Sequence, residues 1–246
     1  MARVLCVDDD QYLTDLLRYA LSREGFEVLM AHTGRDALRL LRSESLDLVI
    51  LDVNIPDMNG FKVLSSLRAF TQVPVVMLTA RAQDDDVIAG FGQGADDYVA
   101  KPFSVQVLMN RIKAVLRRAK PQPEKLPPGG AHYRIHGNIF DAELNEIVAP
   151  DQTRVKLTPT ESRILHLLYL HEGQVLSAER IMDRIWGYDT DSDVNVIKTH
   201  IRHLREKIGS LPNHPQPIRT LPGVGYVVNQ TDEDGRVVTS DAAFQE

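Results

Sequence analysis

Three aspartates, a threonine and a lysine stand where they could handle a phosphoryl group. Asp8 and Asp9 follow the apolar run Arg3–Val7, Asp52 follows Leu48–Leu51, Thr79 ends VVMLT, and Lys101 stands in YVAKPF. Carboxylates that converge at strand ends repel one another and need a counter-charge. A hard divalent cation supplies it, and Mg²⁺ takes few carboxylates together with waters and a phosphate. Asp52 could then act as an in-line nucleophile, with Lys101 as a point charge on the transferring oxygens. Plainer readings exist singly: acids at 8–10 suit a helix start, and Asp52 suits a turn. Five such residues at strand ends are harder to explain as coincidence.

The elements that must position them alternate short apolar runs with helix-period stretches. Strands are expected at Arg3–Val7, Phe26–Met30, Leu48–Leu51, Val75–Leu78 and Tyr98–Ala100, with helices near 11–23, 34–43, 60–69, 84–92 and 104–118. Leu48–Leu51 and Val75–Leu78 are apolar throughout, as strands covered on both faces are. The pattern predicts a doubly wound α/β domain with a five-stranded parallel sheet. In a 2-1-3-4-5 order, strands 1 and 3 flank the crevice at the carboxyl ends, where ligands bind.

After residue 118 the run AKPQPEKLPPGGA is rich in proline and glycine and reads as a linker. Beyond it, alternating strands to about Val155 precede Thr158-Pro159-Thr160-Glu161, a helix start with Thr at the N-cap, Pro at N1 and Glu at N3. Helices from Ser177 and over Val194–Ile208 follow, then a hairpin around 221–225. The expected organisation is a first domain over 1–119, a flexible linker over 120–131, a second domain over 132–230 and an acidic, disordered tail over 231–246.

The net charge of the 246 residues is -6, which argues against nonspecific attraction to nucleic acid. Residues 1–119 hold 14 Lys+Arg against 16 Asp+Glu, residues 132–230 hold 11 against 12, and the tail holds 1 against 5. A nucleic-acid case must rest on local clustering. One cysteine, Cys6, leaves no disulfide framework and reads as a small buried hydrophobe. The start has no signal-peptide pattern, and no apolar run approaches the roughly 20 residues that span a bilayer. The cytoplasm is the expected compartment, with no membrane partner.

VLCVDDD, LVILDVNIPDMNGF, VVMLTA and GADDYVAKPF resemble, in order and spacing, the receiver-domain motifs of two-component response regulators. The resemblance covers residues 2–118. It implies that Asp52 accepts a phosphoryl group from a sensor histidine kinase. It also implies that Asp8, Asp9, Asp52 and the backbone carbonyl of Asn54 hold Mg²⁺, and that Thr79 and Lys101 contact the phosphoryl oxygens. Thr79 and Tyr98 match the switch pair, while Asn54 and Arg81 sit where the family tunes phosphoryl lifetime. Chemistry is expected to stop at phosphorylation and dephosphorylation of Asp52, so the chain is not expected to be an enzyme in the ordinary sense.

From Leu157 to Val228 the sequence resembles the winged-helix DNA-binding domain of the OmpR/PhoB subfamily. Its third helix should bury Ile197, Ile201, Leu204 and Ile208 and present Asn195, Lys198, Thr199, Arg202, His203 and Arg205. Such a basic helix suits a major groove, although a solvated helix face is the plainer reading of the charges alone. By motif position, Trp186, His200, Arg202 and Arg205 should meet phosphates of double-stranded promoter DNA. Thr199 and His203 should face bases, and Thr220 and Tyr226 belong to the wing. His203 and Pro222 stand where the family often carries Arg, and Val227 where it carries a basic residue. A shallow salt dependence and reliance on dimer avidity are expected.

Family members dimerise on activation through the receiver's fourth helix, fifth strand and fifth helix. Asp96, Asp97, Arg111 and Arg118 match charges of that face. Val87 and Val107 replace a basic–acidic pair there, so a more apolar, less salt-sensitive contact is expected. RNA polymerase is the further partner the resemblance implies. Two alternatives remain: a DNA-binding regulator with a constitutive, unphosphorylated receiver dimer, and a metal-dependent phosphatase with an aspartyl nucleophile. The phosphatase normally needs a second Asp where Asn54 stands.

Overall fold

The computed structural model describes residues 1–79, 94–119, 132–187, 195–212 and 216–228. The helix expected near 84–92, the linker and the tail lie outside the described residues, as do Arg81 and Val87. The chain divides into two compact units, Met1–Lys120 and Pro121–Glu246.

In the first unit, β1 (Arg3–Val7), β2 (Glu27–Ala31), β3 (Leu48–Asp52), β4 (Val75–Thr79) and β5 (Asp97–Ala100) alternate with α1 (Gln11–Arg23), α2 (Gly34–Ser43) and α3 (Gly60–Arg68), and α4 (Val105–Ala119) follows. The strands form one sheet in the order β2-β1-β3-β4-β5, every pair parallel. This is the expected doubly wound α/β sheet. Because successive strand residues point to opposite faces, each apolar strand feeds two layers. Leu5, Val49, Leu51, Val75 and Met77 pack with Ala37, Val63, Leu64 and Leu67 of α2 and α3. Val4, Cys6, Ile50, Val76 and Leu78 pack with Leu17, Leu21, Leu108 and Ile112 of α1 and α4. Each fully buried aliphatic side chain contributes about 1.5–3 kcal/mol. Cys6 belongs to that core, and burial pushes its thiol up to about 12.

In the second unit, β6 (His132–Ile135), β7 (Asn138–Asp141), β8 (Glu146–Val148) and β9 (Arg154–Lys156) form an antiparallel meander. Then come α5 (Pro159–Leu170), α6 (Ala178–Trp186), α7 (Asn195–Gly209) and the hairpin of β10 (Ile218–Leu221) with β11 (Gly225–Val228). Thr158 and Glu161 form the expected reciprocal capping box with Pro159 behind it. The hairpin is fastened to the α5–α6 loop by Leu176 N–H to Tyr226 O at 2.8 Å and the reverse bond at 2.9 Å. Among the described residues, no helix is long and apolar enough to cross a membrane.

Candidate functional site

The acidic run after β1 divides its work. Asp10 is the N-cap of α1, its carboxylate accepting from the N–H groups of Tyr12 and Leu13. Asp8 and Asp9 are left for the crevice. Asp8 is buried, Asp9 is exposed, and Asp52 at the end of β3 is 4% exposed. Adjacent strands bring the three together: each can offer an oxygen within 4.8 Å of the others. Among the described residues, no other group of three or more His, Cys, Asp or Glu has that spacing.

Lys101 closes the cluster, its Nζ lying 2.7 Å from Asp8 Oδ2 and 3.1 Å from Asp52 Oδ2. Burial works against the Lys101 charge, but bonds to Asp8 and Asp52 hold its pKa above the ordinary value. Asp52 is raised, first by burial and then by the Asp8 charge, and Lys101 offsets this only in part. Asp52 Oδ1 is buried without a hydrogen-bond partner. One ammonium therefore does not satisfy two buried carboxylates, and the all-oxygen donor set suits a small hard cation. The backbone of Asn54 lies in the same loop, which an Asn54–Asn59 bridge and Gly60 N–H to Val53 O at 2.8 Å hold closed.

Thr79 ends β4 beside the crevice and is buried, and its carbonyl accepts from Lys101 N–H at 2.6 Å. Tyr98, paired with Met77, packs on the layer shared with α2 and α3. Burial first, and the Asp96 charge second, drive its phenol well above the ordinary value. The sequence reading missed Arg68. Its guanidinium donates to Gly94 O at 2.7 Å and Val73 O at 2.7 Å and pairs with Asp96 at 3.2 Å. A single Arg closing an amphipathic helix carries no signal of that task.

Asp96, Asp97, Arg111 and Arg118, the charges expected on the dimer face, meet partners within the chain. Asp96 and Asp97 are 1% and 4% exposed. Asp97 pairs with Arg111 at 2.9 Å and Arg118 at 3.2 Å, both from α4. Burial pulls Arg118 below its ordinary pKa, although Asp97 acts against it. A carboxylate taken out of water needs such partners. Val107 is exposed, whereas Val87 lies outside the described residues.

In the second unit, α7 buries Ile197, Ile201, Leu204 and Ile208 as expected, and also Val196, Thr199, His200 and His203. Thr199 and His203, expected to face bases, are 7% and 6% exposed. The physical reason is a wider buried arc: α7 packs against both α5 and α6. His203 Nδ1 approaches the fully buried Glu161 at 3.8 Å, and His200 lies against Trp186 with ring centroids 5.7 Å apart. Trp186 and Tyr226 are likewise buried. Lys207 donates to Glu161 at 2.6 Å, and Arg205 donates to Ile218 O at 3.0 Å and Thr220 Oγ1 at 2.7 Å. Arg202 has Glu206 one turn on at 3.5 Å. The outward cations of α7 are thus Lys198 and Arg202, and Arg219 on β10 is exposed as well. Asn195 begins α7, and its side chain lies outside the described residues.

Residues 4–113 match the family described as response regulator receiver domain. Residues 152–228 match the family described as transcriptional regulatory protein, C terminal. DrrB, an OmpR/PhoB homolog from Thermotoga maritima, is 30% identical over 93% of this chain and 99% of its own, with a TM-score of 0.48. A cysteine-to-aspartate mutant of RitR is similar in fold, with 23% identity over 94% of this chain and 100% of its own and a TM-score of 0.73. A CheY-like receiver domain protein from Methanospirillum hungatei is 30% identical over 48% of this chain and 94% of its own, with a TM-score of 0.46.

Proposed function

Because this chain belongs to the two-component response regulators that join a receiver to an OmpR/PhoB-type DNA-binding domain, we propose that phosphorylation of Asp52 controls its binding to promoter DNA. The observation that carries the reading is the Asp8–Lys101–Asp52 arrangement, with Asp52 Oδ1 buried and unsatisfied. Asp8, Asp9, Asp52 and the Asn54 carbonyl would hold Mg²⁺. Bound there, Mg²⁺ would neutralise charge on the phosphoryl group. Asp52 attacks the phosphorus in line as the P–N bond of the donor's phosphohistidine breaks and the imidazole leaves. Lys101 moves from the carboxylates to the phosphoryl oxygens, and the Thr79 hydroxyl donates to another. Tyr98 fills the space that Thr79 leaves.

A sensor histidine kinase is the proposed donor, acting in the cytoplasm. The outer side of α1, which begins one residue after Asp10, supports docking by a protein partner: Tyr12, Leu16 and Tyr19 are 81%, 40% and 64% exposed at helical spacing. The deciding experiment is intact-mass analysis with acetyl phosphate and Mg²⁺. The wild-type chain is expected to gain one phosphoryl group and Asp52→Asn none. Labelling of the Asn variant, or no labelling of the wild type, would sink the reading.

The activated chain dimerises, in this proposal, and recruits RNA polymerase. Since Asp97, Arg111 and Arg118 are engaged within the chain, the dimer would use apolar contact at Val107 rather than those charges. On DNA, Lys198 and Arg202 make the phosphate contacts, while Arg205 sets the wing relative to α7. With Lys207 and Arg205 turned inward, the salt dependence is expected to be shallow. Lys198→Ala and Arg202→Ala should each lower the slope of log K against log salt by about one. A salt titration by fluorescence anisotropy checks this, and unchanged slopes would remove both residues from the interface.

A further inference from the structure

We infer that Asp57 and His32 are positioning residues which set the spacing between the two loops that carry the cation ligands. The inference rests on the reading of Asp8, Asp9 and Asp52 as a Mg²⁺ site.

Those ligands come from separate segments: Asp8 and Asp9 follow β1, whereas Asp52 and Asn54 follow β3. The start of α2 bridges the segments. On one side, Asp8 N–H donates to Ala31 O at 3.2 Å, and His32 Nδ1 lies 3.0 Å from Asp8 O. A carbonyl oxygen only accepts, so the His32 ring nitrogen is the donor. Both main-chain polar groups of Asp8 are thereby held by the end of β2. On the other side, the Asp57 carboxylate accepts from Gly34 N–H at 2.7 Å and Arg35 N–H at 3.0 Å. Burial acts to raise the Asp57 pKa, but the two amides hold it below the ordinary value, as an ionised acceptor requires. Asp57 sits inside the closed 53–59 loop, so its pull reaches Asn54 and Asp52. Gly34 lets the contact tighten: a Cβ there would lie 2.5 Å from Met58 Cγ and 2.8 Å from Val63 Cγ2.

Outer residues that orient metal ligands typically change affinity by about 10- to 100-fold. Mn²⁺ titrated into the full chain and followed by electron paramagnetic resonance, with Mg²⁺ competition, reads this directly. Asp57→Ala and His32→Ala are expected to raise the Mn²⁺ Kd about tenfold. In acetyl phosphate labelling, the Mg²⁺ concentration for half-maximal rate should rise while the saturating rate stays. Thr33→Ala separates positioning from stability. Thr33 caps α2 through Asp36 N–H at 3.2 Å, its side-chain bonds running to Asp36 and not to Asp57. It should lower the Tm in EDTA and leave the Mn²⁺ Kd unchanged. Wild-type affinity in Asp57→Ala, or equal weakening in Thr33→Ala, would overturn the proposal. No Mn²⁺ binding by the wild type would overturn the metal reading itself, and the proposal with it.

Discussion

Glu161→Ala is expected to remove a large share of the stability of the C-terminal unit, about 3 kcal/mol. Glu161 is fully buried, and its Oε2 accepts from Thr158 N–H at 2.8 Å and from Lys207 at 2.6 Å. Truncation leaves the buried Thr158 amide without its acceptor and removes the partner of the Lys207 ammonium, whose side chain is 28% exposed. Breaking a buried ion pair from one side costs about 3–5 kcal/mol, and the partial exposure of Lys207 places this pair at the lower end. A whole domain has only about 5–15 kcal/mol of stability. Trp186, the one tryptophan, lies in this unit beside His200, so urea unfolding followed by its fluorescence reports this unit directly. A loss below about 1 kcal/mol would show the pair to be a minor contact.

The same residue predicts the acid limb of stability. Burial acts to raise the Glu161 pKa, but the Lys207 charge and hydrogen bond and the Thr158 amide bring it below the ordinary value. A carboxylate depressed on folding contributes fully above its unfolded pKa of about 4.3, and the contribution fades as pH falls through the lower folded value. Glu161→Gln should flatten that limb.

Gly60→Ala is expected to have the largest effect at the acidic site. Gly60 opens α3 where the helix start returns against β3. A Cβ there would collide with the Asp52 carbonyl oxygen and lie 2.9 Å from Val53 Cα. Those are backbone atoms with no rotamer to escape into. The added methyl should cost about 3 kcal/mol. It would also displace the loop that carries Asn54. A misplacement near 1 Å at a reacting centre can cost about a hundredfold in rate. Acetyl phosphate labelling should therefore slow by about that factor, in molecules that remain folded by circular dichroism. Wild-type labelling by Gly60→Ala would mean that the loop gives way without moving Asp52.

Much of the first unit was legible in the residues. Leu48–Leu51 and Val75–Leu78 read as strands covered on both sides, and that placed Asp52 and Thr79 at strand ends. Boundaries moved by a residue: β2 is Glu27–Ala31 rather than Phe26–Met30, and β5 starts at Asp97. Helical periodicity also found the buried stripe of α7. It did not show how wide that stripe is, because Thr199 and His203 are buried by neighbouring helices distant in sequence. Nor could spacing reveal that Asp96 turns to Arg68 and Asp97 to Arg111 and Arg118. Glu161 was read as a local cap, and its second role with Lys207 arises only when α5 and α7 meet. Asp57 lacked any signal, since its partners are backbone amides.

The two kinds of sheet also imply different folding clocks. In the meander, each strand pairs with the next along the chain: Ile135 with Asn138, Asp141 with Glu146, Val148 with Arg154. Such closures cost little chain entropy, and hairpins form within about 1–10 μs. In the parallel sheet, β1 must find β3 beyond an intervening strand and two helices, and β2 must settle on its other side. Sheets built from distant pairings assemble slowly. The unit synthesised second therefore holds the contacts that close fastest once they are free to form.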